Sequence, residues 1–196
     1  MTVHAAPSDP SGLAWEGHNS AARPTFAHHD ETKAINAKDS VDHLLELAYR
    51  SCFGHGGDLN GLRKEAEVLG WQTVPDTELM RNETNISQMR GGWLFSNEFG
   101  SYAVIQSILK SDPGTSVCSI TTQLSDPGLH PRIKAKFLVR FNTTIAEEVD
   151  GPAEHVDRFW LNRAHKTPIK ASMRFVRSSG SLTIRMIHGN ARPTGA

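Results

Sequence analysis

Cysteine is almost missing from this 196-residue chain, which has only Cys52 and Cys118. That excludes a cysteine-dense scaffold and any four-thiolate zinc site. No C-x-x-C, H-E-x-x-H or comparable ligand spacing occurs, so the motifs lead us to expect no metal and no cofactor. An excess of one charge is missing too. There are 21 basic and 21 acidic residues, with a pI near 7.2, and this argues against a nucleic-acid partner, because such domains carry a basic excess. No apolar run approaches the roughly 18–20 residues that span a bilayer. The N-terminus lacks the charged, apolar and small-residue regions of a signal peptide. As written, the chain is expected to be cytoplasmic, and periplasmic or secreted if a leader is missing.

Apolar residues are scarce as well, at 38%, and the shortage is concentrated at one end. From Met1 to Lys38 the sizeable apolar side chains are Val3, Leu13, Trp15, Phe26 and Ile35, without helical or strand period. Such a segment buries too little to offset its ordering entropy. We therefore expect a disordered arm over 1–38, one domain over 39–189, and a flexible tail over 190–196.

What is present within the domain is periodic. Val41, Leu44, Leu45, Ala48, Tyr49 and Cys52 recur at helical spacing, with Asp39 or Ser40 as cap and Gly54, Gly56 and Gly57 as stop. A second helix is predicted from near Asn60 to Leu69, ended by Gly70 and by Trp71 folding back on the last turn. Strands are predicted at Trp93–Phe95, Tyr102–Leu109 and Val117–Leu124, separated by turn residues. Ser125-Asp126-Pro127 reads as a helix start, with Pro131 able to delay it, and that helix is expected to reach Phe141. Further strands are expected at Val156–Leu161, Ile169–Val176 and Leu182–Ile187, the last two forming a hairpin of clear period two. The order points to an α+β fold: an antiparallel sheet with an N-terminal helical hairpin and one later helix packed on one face.

Chemistry-bearing residues are sparse. Cys52 and Cys118 both fall on apolar faces, and position alone leaves open a disulfide or two buried thiols. A nucleophilic Cys52 is disfavoured: it lies at a helix C-terminus, where the dipole opposes a thiolate, with only His55 to help. Ten histidines are present, densest at His28-His29-Asp30-Glu31, while His43, His130, His155, His165 and His188 stand alone in the domain. Gly54-His-Gly-Gly follows a helix, whereas phosphate loops follow a strand. Lys170, Arg174 and Arg185 point away from the predicted core, with Arg177 near the turn. They form an anion-binding candidate set, or a solvated face that blocks edge pairing. Glu147, Glu148 and Asp150 make no site by adjacency alone. The polar stretch from Pro75 to Arg90 reads as a loop over any site.

Leu47-Ala-Tyr-Arg-Ser-Cys52, then Gly57-Asp58, Gly70-Trp71, and Cys118 ahead of Ser125-Asp126-Pro127 resemble a loose group of small, uncharacterised bacterial proteins, often exported. The resemblance covers Ser40 to Phe141. It implies that Cys52 and Cys118 pair in an oxidising compartment, although this chain departs from the group in showing no signal peptide. The group carries no established activity, so no catalytic residue transfers from it.

No specific activity is legible. The expectation is a non-catalytic binding or interaction domain. The alternatives are an enzyme whose site is assembled from isolated residues, and an anion or nucleic-acid binder using the C-terminal hairpin.

Overall fold

A computed structural model describes residues 39–55, 58–75, 86–161 and 169–189. The expected arm and tail, His28 to Glu31, His165 and most of the loop after Pro75 lie outside the described residues.

Helix α1 (Ser40–Leu47) starts as its cap residue dictates: Asp39 accepts from the N–H groups of Val41 and Asp42. The first helix was expected to run regularly to Phe53. Instead it widens into a π-helical segment over Ala48–Gly54. Helix α2 (Leu59–Val68) buries Leu62 and Ala66. It ends with Gly70 at φ +67° and with Trp71 N–H bonded to Ala66 O at 2.9 Å, the glycine-terminated cap that the sequence called for. Trp71 then stacks on Phe95, with centroids 4.5 Å apart.

Among the described residues the sheet has eight antiparallel strands: β1 (Gln72–Thr73), β2 (Ile86–Asn97), β3 (Gly100–Leu109), β4 (Ser116–Gln123), β5 (Thr144–Asp150), β6 (Glu154–Leu161), β7 (Ile169–Val176) and β8 (Ser181–His188). Their spatial order is β1-β2-β3-β4-β8-β7-β6-β5. Between β4 and β5 the chain forms α3 (Leu129–Arg140), which carries it from mid-sheet to the far edge; hairpins return it to β8, beside β4. The α+β architecture is as expected from pattern.

Two strands went unforeseen. β1 has only two residues, and β5 is exposed throughout, so neither shows an alternating pattern. The stretch expected to be loop up to Arg90 is strand from Ile86 onward, where β2 pairs with β3 through irregular register. Helix α3 also starts later than Ser125-Asp126-Pro127 suggested. Those residues form a turn closed by Leu129 N–H to Asp126 O, and Gly128 precedes the helix. At the other end, Asn142 takes φ 45° and Thr143 N–H bonds Leu138 O at 3.1 Å. This is a second left-handed helix stop, here made by asparagine.

The core fills the space between the helices and one sheet face. Leu44, Leu45, Cys52, Leu62, Ile133 and Phe137 meet Val104, Ile120, Phe159, Met173, Leu182 and Ile184, all nearly solvent-free. Cys52 and Cys118 lie in this core at disulfide distance, with sulfurs 1.96 Å and Cα atoms 5.3 Å apart.

Candidate functional site

Strand period two sends His155, Asp157, Phe159 and Leu161 of β6 to the helix side. Helical period places His130, Ile133 and Phe137 of α3 against them. At the sheet edge, β5 aligns Glu148 with Asp157 and Asp150 with His155. Where α3 crosses this corner, apolar packing gives way to a group of ionisable side chains, buried at His130, His155 and Asp157 and open to solvent at Glu148 and Asp150.

Asp157 has no exposed surface, and an isolated carboxylate there would be costly to desolvate. Lys134, one turn after His130, places its Nζ 2.7 Å from Asp157 Oδ1 and 2.7 Å from Glu148 Oε2. His155 Nε2 lies 3.1 Å from Asp157 Oδ1 and 3.5 Å from Glu148 Oε1, while its Nδ1 lies 3.0 Å from Asp150 Oδ1. Arg177 closes the corner, pairing with Asp150 and donating from Nε to Gly151 O. Lys134, Arg177 and the His155 ring thus face three carboxylates.

His130 completes the group from the helix. Its ring stacks on Phe175, with centroids 5.1 Å apart and planes at 12°, and meets the His155 ring edge-on. His130 Nε2 points at Asp157 Oδ2 across 3.6 Å. Both atoms are buried, and neither has a hydrogen-bond partner among the described residues.

These surroundings set the protonation states. Burial, and then the neighbouring His155, hold His130 below the usual histidine range, so its ring is neutral at pH 7. Burial works against charge on His155 as well, but its bonds to Asp150 and Asp157 outweigh it and raise the pKa. Burial likewise opposes the Lys134 ammonium, and the bonds to Asp157 and Glu148 overcome that, so its pKa is raised. The bond from His155 lowers the pKa of Asp150. The ligand atoms of His130, His155 and Asp157 lie within 4.8 Å of one another, a spacing that lets them converge on one small cation.

The residues singled out from sequence fall elsewhere. Lys170 and Arg174 of β7 and Arg185 of β8 share the sheet face away from the helices, whereas Arg177 lies at the exposed rim beside Asp150. Arg174 pairs with Glu154 at 2.5 Å, and Lys170 Nζ lies 4.8 Å over the Trp160 ring. Three of the four basic residues therefore share one face, and Arg177 lies apart from them. A small cleft of about 100 Å³ opens beside Ser40, Leu44, Tyr102, Thr122 and Leu129; pockets for small organic ligands run to roughly 300–1,000 Å³. Burial pushes the Tyr102 hydroxyl up to about 12, so it stays protonated.

Along the sequence His130 and His155 are singletons, and Glu148 and Asp150 make no site. One signal was available. His130 is in helical phase with Ile133 and Phe137, and His155 and Asp157 are in strand phase with Phe159 and Leu161. Polar residues on two apolar stripes mark a buried polar centre, but which stripes face each other is not written in either one. No protein-family model, curated protein or solved structure matches this chain.

Proposed function

We propose that this chain is a non-catalytic binding domain, and that the His130–His155–Asp157 centre is where it binds. One observation carries the reading: two buried polar atoms, His130 Nε2 and Asp157 Oδ2, face each other unsatisfied at the heart of the group. Each buried atom left in that state costs about 1–3 kcal/mol. Phenylalanine would satisfy the His130 position without that cost, since the ring already stacks on Phe175. Polar groups that burden the fold in this way are found where a ligand uses them.

Binding fits better than turnover. Asp157 is solvent-free and the His130 side chain is 9% exposed, so a substrate of any size would not reach them. The charged groups around the pair already hold one another, and Lys134 keeps its proton.

The reading is tested by substituting His130→Phe and measuring stability by urea denaturation in a chelator. We expect a gain of about 1 kcal/mol, because an unsatisfied buried nitrogen is removed while the stacking is kept. A loss of 1 kcal/mol or more would mean that His130 serves the fold and would defeat the proposal. Turnover detected in a broad hydrolase screen, and abolished by His155→Gln, would replace it with an enzymatic reading.

A further inference from the structure

We infer that the ligand of this centre is a borderline divalent transition-metal ion of the zinc class, held by His130 Nε2, His155 Nε2 and a carboxylate oxygen of Asp157. This inference rests on the binding-domain reading and names the ligand.

Three features of the group support it, each independent of charge counting. The two unsatisfied atoms are an imidazole nitrogen and a carboxylate oxygen, both more than nine-tenths buried and directed at each other. These are what a metal ion consumes and what a water or an organic group would have to satisfy one by one. Next, His155 is already oriented as a ligand. Its Nδ1 faces Asp150 Oδ1 at 3.0 Å, the carboxylate–histidine arrangement that fixes the tautomer and turns Nε2 toward a metal. Spacing is the third. Tetrahedral zinc, with bonds of about 2.0–2.1 Å, needs ligand atoms roughly 3.3 Å apart. Here Nε2 of His155 lies 3.1 Å from Asp157 Oδ1, and Nε2 of His130 lies 3.6 Å from Asp157 Oδ2. All the ligand atoms lie within 4.8 Å of one another, so side-chain rotations have to draw the outer pair together to close the set.

Donor type selects the ion. Two imidazoles and one carboxylate suit zinc and its neighbours, whereas Ca²⁺ and Mg²⁺ require shells of oxygen. Glu148 Oε1, 3.5 Å from His155 Nε2, is placed to supply a fourth donor. Phe175 and the apolar stripes beneath cover the His130 and Asp157 side of the site, while Glu148 faces solvent.

Lys134 is the element that must yield. Its ammonium bridges Asp157 and Glu148, the position from which a cation neutralises both carboxylates. Its side chain is 17% exposed and reaches the site from the helix surface, so its head group can swing to water when the metal enters. Lys134 is thus a built-in competitor for the metal, and removing it should tighten binding.

The test is equilibrium dialysis of the chelator-treated full chain against Zn²⁺, read by elemental analysis, with calorimetry for affinity. We expect one Zn²⁺ per chain, not displaced by millimolar Mg²⁺ or Ca²⁺. His130→Phe should weaken binding at least 100-fold. Asp150→Asn should weaken it about 10- to 100-fold through His155. Lys134→Met should tighten it about tenfold or more. Circular dichroism of each variant separates loss of the site from loss of the fold, and His130→Phe is the variant expected to stay folded.

Failure to bind Zn²⁺ overturns the inference. So does binding that is equal in the wild type, His130→Phe and Lys134→Met, since the ion then sits elsewhere on the chain. If His130→Phe stabilises the metal-free protein but the wild type takes up no Zn²⁺, the metal identity fails alone. If that variant destabilises the protein, the binding-site reading fails first.

Discussion

Acidification provides a quantitative test of the packing at His43. This residue sits on the buried side of α1 with 3% of its surface exposed. Its Nε2 accepts from Asn97 Nδ2 at 2.9 Å, so the proton is on Nδ1, which has no partner among the described residues. The ring stacks on Phe99 at 4.9 Å and lies 5.2 Å from Tyr102. None of these neighbours welcomes a charge, and burial lowers the pKa from 6.5 to about 4.

The sign follows from linkage. Between pH 6.5 and 4 the unfolded chain binds the proton and the folded chain does not, so stability falls as the pH falls through that window. At 1.36 kcal/mol per pKa unit, the loss approaches about 3 kcal/mol at full extent and about 2.5 kcal/mol at pH 4.5. That is a large part of the roughly 5–15 kcal/mol typical of a domain. His43→Gln retains an acceptor for Asn97 and cannot titrate. Urea denaturation at pH 7 and at pH 4.5 should therefore show the wild type losing about 2.5 kcal/mol more than His43→Gln. Equal losses, or an imidazole titrating near 6.5 by NMR in the folded protein, would refute this account of the α1–β2 contact.

Two further predictions concern the core. Thiol counting in denaturant, on protein prepared without reductant, should find no reactive thiol. The double substitution Cys52→Ala, Cys118→Ala should lower stability by about 4 kcal/mol, because the pair spans 66 residues. Two titrating thiols, or an unchanged midpoint, would contradict this. At Gly91 an added Cβ would lie 2.6 Å from the Trp93 ring, which covers the backbone there inside the core. Gly91→Ala should therefore cost about 1–3 kcal/mol in thermal or chemical unfolding, and a neutral result would show that Trp93 can move aside freely.

Period and punctuation settled most of the architecture in advance. The α1 stripe, the Gly70–Trp71 stop, the alternation of β7 and β8 and the fold class follow from local rules, since each concerns residues that neighbour one another along the chain. The failures were also physical. The widening over Ala48–Gly54 leaves no compositional mark. β5 is invisible because an exposed edge strand needs no apolar alternation. The late start of α3 reflects the capacity of Ser125-Asp126-Pro127 to form a turn as readily as a first helical turn.

By itself, the sequence determined which faces are apolar, and hence that a helix-covered antiparallel sheet forms with Cys52 and Cys118 both turned inward. Only the tertiary structure decided what meets what. Crossing from β4 to the far sheet edge, α3 brings His130 and Lys134 over Asp157, and the Asn142 stop turns the chain into β5, where Glu148 and Asp150 complete the group. Those residues span positions 130 to 177, and their proximity depends on strand order and on one helix crossing. Neither of these is encoded in any single periodic segment, because each segment specifies its own buried face and not the partner that covers it.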